Sequence, residues 1–258
     1  MSGFREYDGI RGNTKEDKGK RAVRPNFLLP LCSLVFRCVP SYSLGILFLA
    51  GALAAEPNAQ PLAGRVIVLD PGHAVFNQDG VLINPGARGR HGPYEREVAL
   101  DVAEKMCPLL ESQGAKVFLT RTRLNPWRYS LGQHSDNRSR ALFANSLHAQ
   151  AYIRLHCDWN RSRHFQGYTA YYYRWTSRAL AKTIHDALVK ALPDHHDNGI
   201  HRRTFVSISS QMPTVLVEMG VLSYKPEAKD LASDAFQDKL AIAITQGVVD
   251  YFRSRPNS

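Results

Sequence analysis

Apolar and polar positions divide the chain into two parts. In the first 55 residues a polar, basic leader is followed by two mostly apolar stretches, 27–39 and 43–55. From Arg65 onward, short apolar runs alternate with longer segments in which apolar residues recur every three or four positions. Short runs are typical of buried strands, and the longer spacing is typical of amphipathic helices. The pattern therefore predicts that a separate N-terminal segment, with a basic leader and two apolar stretches, precedes a folded α/β body.

The body contains five predicted strands and four predicted helices. The strands are 65–70, 116–120, 151–156, 167–173 and 214–218. The helices are 95–113, 139–147, 177–192 and 235–252, and the segment with His195, His196 and Gly199 is predicted to be a loop. Nearly continuous apolar strands between helices indicate a mainly parallel central sheet covered by helices on both faces. We therefore expect a single α/β domain over residues 65–254.

Residues 1–55 have the composition of a targeting segment. They hold eight Lys/Arg against four Asp/Glu, and the apolar stretch 43–55 has the length of a signal-peptide core and ends in small residues. A single membrane span through both apolar stretches would bury Arg37, which costs about 3 kcal/mol at mid-bilayer. We therefore favour export with cleavage near Ala54 or Ala55. The alternative is that the segment stays uncleaved as an N-terminal anchor, which would be the only contact with a membrane that we expect. Residues 56–64 then form a linker.

Composition and charge narrow the class of protein without naming a partner. With 44% hydrophobic and 22% charged residues, the 258-residue chain is close to the globular average, which argues against a disordered or membrane-embedded protein. The net charge is +10, and residues 56–258 retain 25 Lys/Arg against 19 Asp/Glu. This excess attracts polyanions in general. Because no nucleic-acid-binding motif accompanies it, we do not expect a nucleic-acid partner.

The four cysteines give no metal-binding pattern. Cys32 and Cys38 lie in the N-terminal apolar region, whereas Cys107 and Cys157 lie in the body. A disulfide between the latter two is permitted in an exported protein, but their spacing does not show that they approach each other. We expect both to be small core residues.

Side chains that bind metals stand at the ends of three predicted strands. His73 follows the first strand, His156 ends the third and Glu218 ends the last, while Glu95 opens the first long helix. Ligands of α/β sheets bind beyond the carboxyl ends of the strands. Two imidazoles and a carboxylate form a common catalytic zinc set that leaves one position open, and a second carboxylate acts as a base. We therefore predict His73, Glu95 and His156 as zinc ligands and Glu218 as the catalytic base.

Each of these four residues has an ordinary explanation when taken alone, since polar residues at strand ends are often structural. His91, four residues before Glu95, is the nearest rival ligand. The remaining histidines are interpreted as polar loop or helix-surface residues.

Six segments that carry the candidate residues resemble, in order, the zinc-dependent N-acetylmuramoyl-L-alanine amidase family, amidase type 3. They cover most of residues 65–254. The segments are VIVLDPGH (66–73), NPGARG (84–89), YEREVALDVA (94–103), GAKVFLTR (114–121), RLHCD (154–158) and MPTVLVEMGVLS (212–223). The resemblance implies the same zinc ligands, His73, Glu95 and His156, and the same catalytic carboxylate, Glu218.

The resemblance also implies a reaction. The family hydrolyses the amide bond that joins the lactyl group of N-acetylmuramic acid to the L-alanine of the peptidoglycan stem peptide, in wall remodelling or daughter-cell separation. We therefore expect an exported enzyme of the periplasm or cell envelope with peptidoglycan as its partner. This sequence departs from the pattern in a long segment at 74–83 and in Arg154, where a small residue is usual. Asp158 stands where an amide or acid is common and is a candidate for orienting a ligand.

Two other functions remain open. The same ligands and base would serve a zinc peptidase that trims the stem peptide itself. A wall-binding protein without turnover is also compatible with the fold, although the presence of all three ligands and the base speaks against it. An activator protein is compatible with either enzyme, but no feature of the sequence indicates one.

Overall fold

The computed structural model describes residues 60–89, 92–128, 133–206 and 209–255. The predicted targeting segment 1–55 and the first residues of the linker lie outside this range. None of the described helices is both long and apolar enough to cross a membrane.

The described chain forms nine strands and five α-helices. The strands are β1 (Val66–Pro71), β2 (Val75–Phe76), β3 (Leu82–Asn84), β4 (Lys116–Leu119), β5 (Trp127–Arg128), β6 (Ala151–Asp158), β7 (Tyr168–Tyr172), β8 (Asp197–Arg202) and β9 (Thr214–Val221). The helices are α1 (Glu95–Ser112), α2 (Gln133–Ser146), α3 (Arg178–Ala191), α4 (Lys225–Leu231) and α5 (Asp234–Arg253). Two short 3₁₀ helices occupy Trp175–Ser177 and Thr204–Val206.

Six of the strands form one sheet in the order β4-β1-β6-β9-β7-β8. Strands β4, β1, β6 and β9 are mutually parallel, and β7 and β8 run parallel to each other but antiparallel to those four. The prediction of a mainly parallel sheet is confirmed. The parallel strands β1, β6 and β9 are central neighbours, so their carboxyl ends meet at one edge.

Both faces of the sheet are covered, but unequally. Helices α1, α3 and α5 pack on one face and form the main core with side chains such as Ile67, Ile153 and Val217. Gly247 of α5 allows the close approach to α3, because a Cβ there would lie only 2.4 Å from the Cα of Ile184. On the other face α2 forms a smaller apolar cluster around Val68 and Tyr152.

Sequence patterns missed several elements, for physical reasons. The predicted loop around Gly199 is instead strand β8, whose mostly polar and half-buried residues pair along only one side at the sheet edge. Helix α2 begins at Gln133 instead of near residue 139, since its first turns bury polar side chains, Asp136 and Arg140, in place of an apolar stripe. Strands β2, β3 and β5 form a small second sheet of two- and three-residue strands, too short to leave a pattern.

The two body cysteines are buried as predicted, with exposures of 1% for Cys107 and 2% for Cys157. Cys157 is a free thiol, so the permitted disulfide between them does not form. Burial raises the pKa of the Cys157 thiol well above its usual value, which keeps it protonated.

Candidate metal and catalytic site

The candidate residues meet at the carboxyl edge of the central strands. His73 follows β1 two residues after its end, and His156 in β6 pairs in register with Glu218 in β9. Glu95 is the first residue of α1, which places its carboxylate at the same edge. All four side chains line one cleft of about 290 Å³. The structure thus brings together residues that are separated by as many as 145 positions in the sequence.

His73, Glu95 and His156 form a compact cluster. The Oε1 atom of Glu95 lies 2.8 Å from Nε2 of His73 and 3.0 Å from Nδ1 of His156. One ligand atom from each residue lies within 4.8 Å of the others, and the two imidazole rings meet edge to face at 4.9 Å. A zinc ion binds nitrogen and oxygen at about 2.0–2.2 Å, so the ligand atoms of one ion lie at most about 4.4 Å apart, and the spacing in this cluster is close to what one ion requires.

The protonation states in the cluster suit a cation. Burial lowers the pKa of His156 to about 4, which leaves its imidazole neutral at pH 7. Burial favours protonated Glu95, but hydrogen bonds with His156 and His73 outweigh it and lower the pKa of the carboxyl well below its usual range. The Nε2 atom of His156 is buried without a hydrogen-bond partner among the described residues. A buried carboxylate beside two imidazoles is a donor set that zinc binds, so these residues fit the ion.

His73 is held by contacts on three sides. Its backbone is in the left-handed region at φ 63°, and its carbonyl oxygen accepts a hydrogen bond of 2.8 Å from Nη2 of Arg140. Its Nδ1 lies 2.8 Å from Oδ1 of Asn84, and a Cβ at Gly86 would lie 2.8 Å from the imidazole Cγ. A hydrogen bond to Nδ1 fixes the tautomer that leaves Nε2 for a metal.

Glycine also makes room for the second imidazole. A Cβ on Gly72 would lie 2.4 Å from Cε1 of His156, closer than real contacts allow. The tight turn after β1 therefore requires glycine for packing against the ligand, although its φ is not positive.

Below the cluster lies a buried charge network centred on Asp70. Its Oδ1 accepts hydrogen bonds from Thr120 at 2.6 Å and Arg140 at 2.8 Å, and its Oδ2 accepts from Tyr152 at 2.8 Å and Arg154 at 2.9 Å. Burial alone would raise the pKa of Asp70, but the two guanidinium groups hold it well below its usual range. The network gives Arg154 a buried partner in Asp70.

Glu218 lies in the same cleft with a different electrostatic environment. Burial raises the pKa of its carboxyl well above the usual value, and the carboxylates of Asp158 and Glu95 raise it further, while Arg154 opposes them. Its Oε2 is buried without a hydrogen-bond partner among the described residues. A carboxyl with a raised pKa and an unoccupied oxygen is suited to exchanging a proton.

Among the described histidine side chains, those of His73 and His156 are the ones that line the cleft. His91 and the side chain of His134 lie outside what the structure describes, so the rival role of His91 is not tested. His185 contacts Asp197 at 2.7 Å on the surface. Sequence reasoning missed Asn84 and Arg140 as residues that hold His73. Asn84 opens the NPGARG segment, a signal that was available, whereas Arg140 lies in α2 with no motif around it.

The fold and the cleft define an α/β protein with a candidate metal site at the carboxyl edge of a mainly parallel sheet. The family model of the N-acetylmuramoyl-L-alanine amidases, amidase type 3, matches residues 67–250. The chain belongs to this family, and it is accordingly an amidase that acts on peptidoglycan.

Similar proteins agree with this assignment. The chain is 33% identical over 210 residues to the germination-specific N-acetylmuramoyl-L-alanine amidase of Bacillus subtilis, covering 78% of this chain and 85% of the relative. It is 30% identical over 263 residues to N-acetylmuramoyl-L-alanine amidase LytC of the same organism, covering 98% of this chain but only half of LytC. Among solved structures, the catalytic domain of CwlV from Bacillus (Paenibacillus) polymyxa var. colistinus superposes with a TM-score of 0.63 at 28% identity, covering 73% of this chain and 98% of that domain.

Proposed function

We propose that this protein is a zinc-dependent N-acetylmuramoyl-L-alanine amidase that hydrolyses the bond between the muramic acid lactyl group and the L-alanine of the stem peptide. In this proposal His73, Glu95 and His156 bind the zinc ion and Glu218 is the catalytic base. The observation that carries it is the three-residue cluster, in which one carboxylate oxygen lies within 3.0 Å of both imidazoles. Family membership supports the choice of bond.

The two glutamates have different roles in this mechanism because their pKa values are shifted in opposite directions. Zinc, when bound, supplies Lewis acidity and lowers the pKa of water toward about 7. Glu95 has a lowered pKa and stays ionised as a ligand, whereas the raised pKa of Glu218 suits it to hold and release a proton. Glu218 accepts the proton of the attacking water at Oε2 and passes it to the nitrogen of the leaving L-alanine.

A peptidoglycan digest tests both the bond and the metal. We expect the purified protein to release intact stem peptides from the glycan, to lose this activity with a chelator and to regain it with zinc. Stems that are shortened but still attached to muramic acid would overturn the amidase proposal in favour of a peptidase. Activity that survives complete metal removal would overturn the zinc site.

A substitution separates binding from catalysis. Glu218→Gln should keep the zinc content of the parent and lose at least about 100-fold in turnover, as expected for loss of a general base. Glu104→Gln on the outer side of α1 is the matched control and should keep parental turnover, because Glu104 does not line the cleft. A Glu218→Gln variant as active as the parent would contradict the assigned role.

The substrate also bears on location. Peptidoglycan lies outside the cytoplasmic membrane, which supports export to the periplasm or cell envelope through residues 1–55. N-terminal sequencing of the mature protein from cell fractions tests this. A new N-terminus close to Ala55 in the envelope fraction would support cleavage, an intact N-terminus in the membrane fraction would indicate an anchor, and recovery only from the cytoplasm would contradict export.

A further inference from the structure

A second, larger cavity adjoins the catalytic cleft. It is a groove of about 1430 Å³ between the chain after β6, the start of α4 and the segment before α1. Trp159 lines both the groove and the cleft, and its side chain is exposed. Because the two cavities share a wall, a molecule bound at the catalytic residues can extend into the groove. Its volume exceeds the range of about 300–1,000 Å³ of small-molecule sites, leaving room for several residues of an extended chain.

The charge of this groove is one-sided. Among the described residues that line it, five are basic and none is acidic; the basic residues are Arg88, Arg161, Arg163, Lys225 and Lys229. Within the described chain, Arg163, Lys225 and Lys229 are exposed and form no ion pair. Basic side chains elsewhere on the surface commonly have acidic partners, as Lys182 has in Asp186 and Lys105 has in Asp234. Arg163, Lys225 and Lys229 instead place three exposed positive charges along the groove, which focus the field on an anionic ligand.

The chemistry of the scissile bond selects the ligand. On one side of that bond is a sugar, whose uncharged hydroxyl groups interact only weakly with the basic side chains of the groove. The other side is a peptide, whose free carboxylates match arginine and lysine side chains. The groove also offers apolar surface from Trp159, Leu222 and Tyr224 for the body of such a peptide.

We infer that this basic groove binds the peptide side of the substrate through its free carboxylates, so that the enzyme prefers acidic stem peptides. This inference rests on the proposed amidase function, since it places the leaving peptide next to Glu218. An anionic phosphodiester polymer of the wall is a different occupant and is one of the outcomes of the test below.

The test compares two soluble substrates that differ only in charge. One is an N-acetylmuramoyl peptide with free carboxylates, and the other is the same compound with those carboxylates converted to primary amides. The groove variant is Arg163→Gln with Lys225→Gln and Lys229→Gln. The control variant is Arg178→Gln with Lys190→Gln and Lys239→Gln, which removes the same charge from exposed positions outside the groove.

We expect the parent and the control to have a KM for the acidic substrate about tenfold below that for the amidated one, as three exposed charge contacts allow. In the groove variant the two KM values should become nearly equal. A parental preference that is absent, or that survives in the groove variant, would overturn the inference. So would loss of binding to wall sacculi that contain the phosphodiester polymer with no change in the KM ratio, which would indicate that polymer as the ligand.

A binding measurement separates this inference from the proposed function. The free acidic peptide is titrated against Glu218→Gln protein with and without the groove substitutions, and its Kd should rise about tenfold with them. If the parent cleaves neither substrate but this difference in Kd is found, the amidase proposal fails and the groove stands. If cleavage is normal but the peptide binds both proteins equally, the groove inference fails and the amidase proposal stands.

Discussion

Arg140 donates a hydrogen bond of 2.8 Å from Nη2 to the carbonyl oxygen of His73, and thereby links a predicted metal ligand to the buried charge network. Its Nη1 donates to Asp70, which also binds Arg154. The left-handed backbone of His73 is unfavourable for a residue with a Cβ, so it persists only where surrounding contacts hold it. The network thus stabilises both the fold and the position of the ligand.

Removing the central carboxylate of this network should destabilise the protein strongly. Asp70→Asn leaves the buried guanidinium of Arg154 without its counter-charge and leaves Arg140 with Asp136 as its remaining partner, which costs about 3–5 kcal/mol in the free energy of unfolding. Urea unfolding at pH 7 measures it. Asp186→Asn, which removes an exposed partner of Lys182, is the control and should cost about 1 kcal/mol or less. Similar losses in the two variants would contradict the importance assigned to the network.

The pH dependence of the free energy of unfolding, compared between the parent and Asp70→Asn, tests the same network. Because the pKa of Asp70 in the folded state is below its ordinary value of 3.8, its ionised form stabilises the fold above that pH. As the pH falls below about 4, the unfolded chain takes up a proton that the folded chain resists, and the contribution is lost. The stability difference between the parent and Asp70→Asn should therefore be full at pH 7 and shrink in acid. A difference that grows in acid would contradict this sign.

The contact between Asn84 and His73 should tune metal affinity. Asn84→Ala removes the acceptor at Nδ1 of His73, so the imidazole is no longer fixed in the tautomer that leaves Nε2 for the metal. Loss of such a partner weakens metal binding by about 10–100-fold. A zinc competition titration measures it. Asn125→Ala on an exposed loop is the control, and equal zinc affinity in both variants would rule out this role for Asn84.

The close packing of Gly72 against His156 should be necessary for zinc binding and activity. Gly72→Ala places a methyl group 2.4 Å from the ring of His156, and that ring must move. We expect weaker zinc binding and at least about tenfold lower activity, since misplaced ligands cost both affinity and rate. Activity and zinc content are measured beside the thermal unfolding midpoint. If the variant unfolds at nearly the parental temperature and also binds zinc with parental affinity, the packing argument is contradicted.

The contrast between the predicted residues and the missed ones has a physical basis. His73, His156 and Glu218 were predictable because the carboxyl ends of parallel strands meet at one edge, so local strand patterns fix a common location. Glu95 was predictable as the start of a long helix. Arg140 was not, because its contacts with Asp70 and His73 join residues about 70 positions apart and leave no local signal. Strand β8 was missed because this edge strand consists mostly of polar residues, as a loop does.

The electrostatics of Glu218 should appear in the pH dependence of turnover. Burial raises the pKa of its carboxyl, and the Asp158 carboxylate raises it further. Because a general base must be ionised, kcat/KM should increase with pH through this raised pKa. Asp158→Asn removes one negative charge, lowers the pKa of Glu218 and should move the acidic limb of the profile to lower pH. Asp194→Asn, exposed and outside the cleft, is the control, and an acidic limb that Asp158→Asn leaves unmoved would mean that another group sets it.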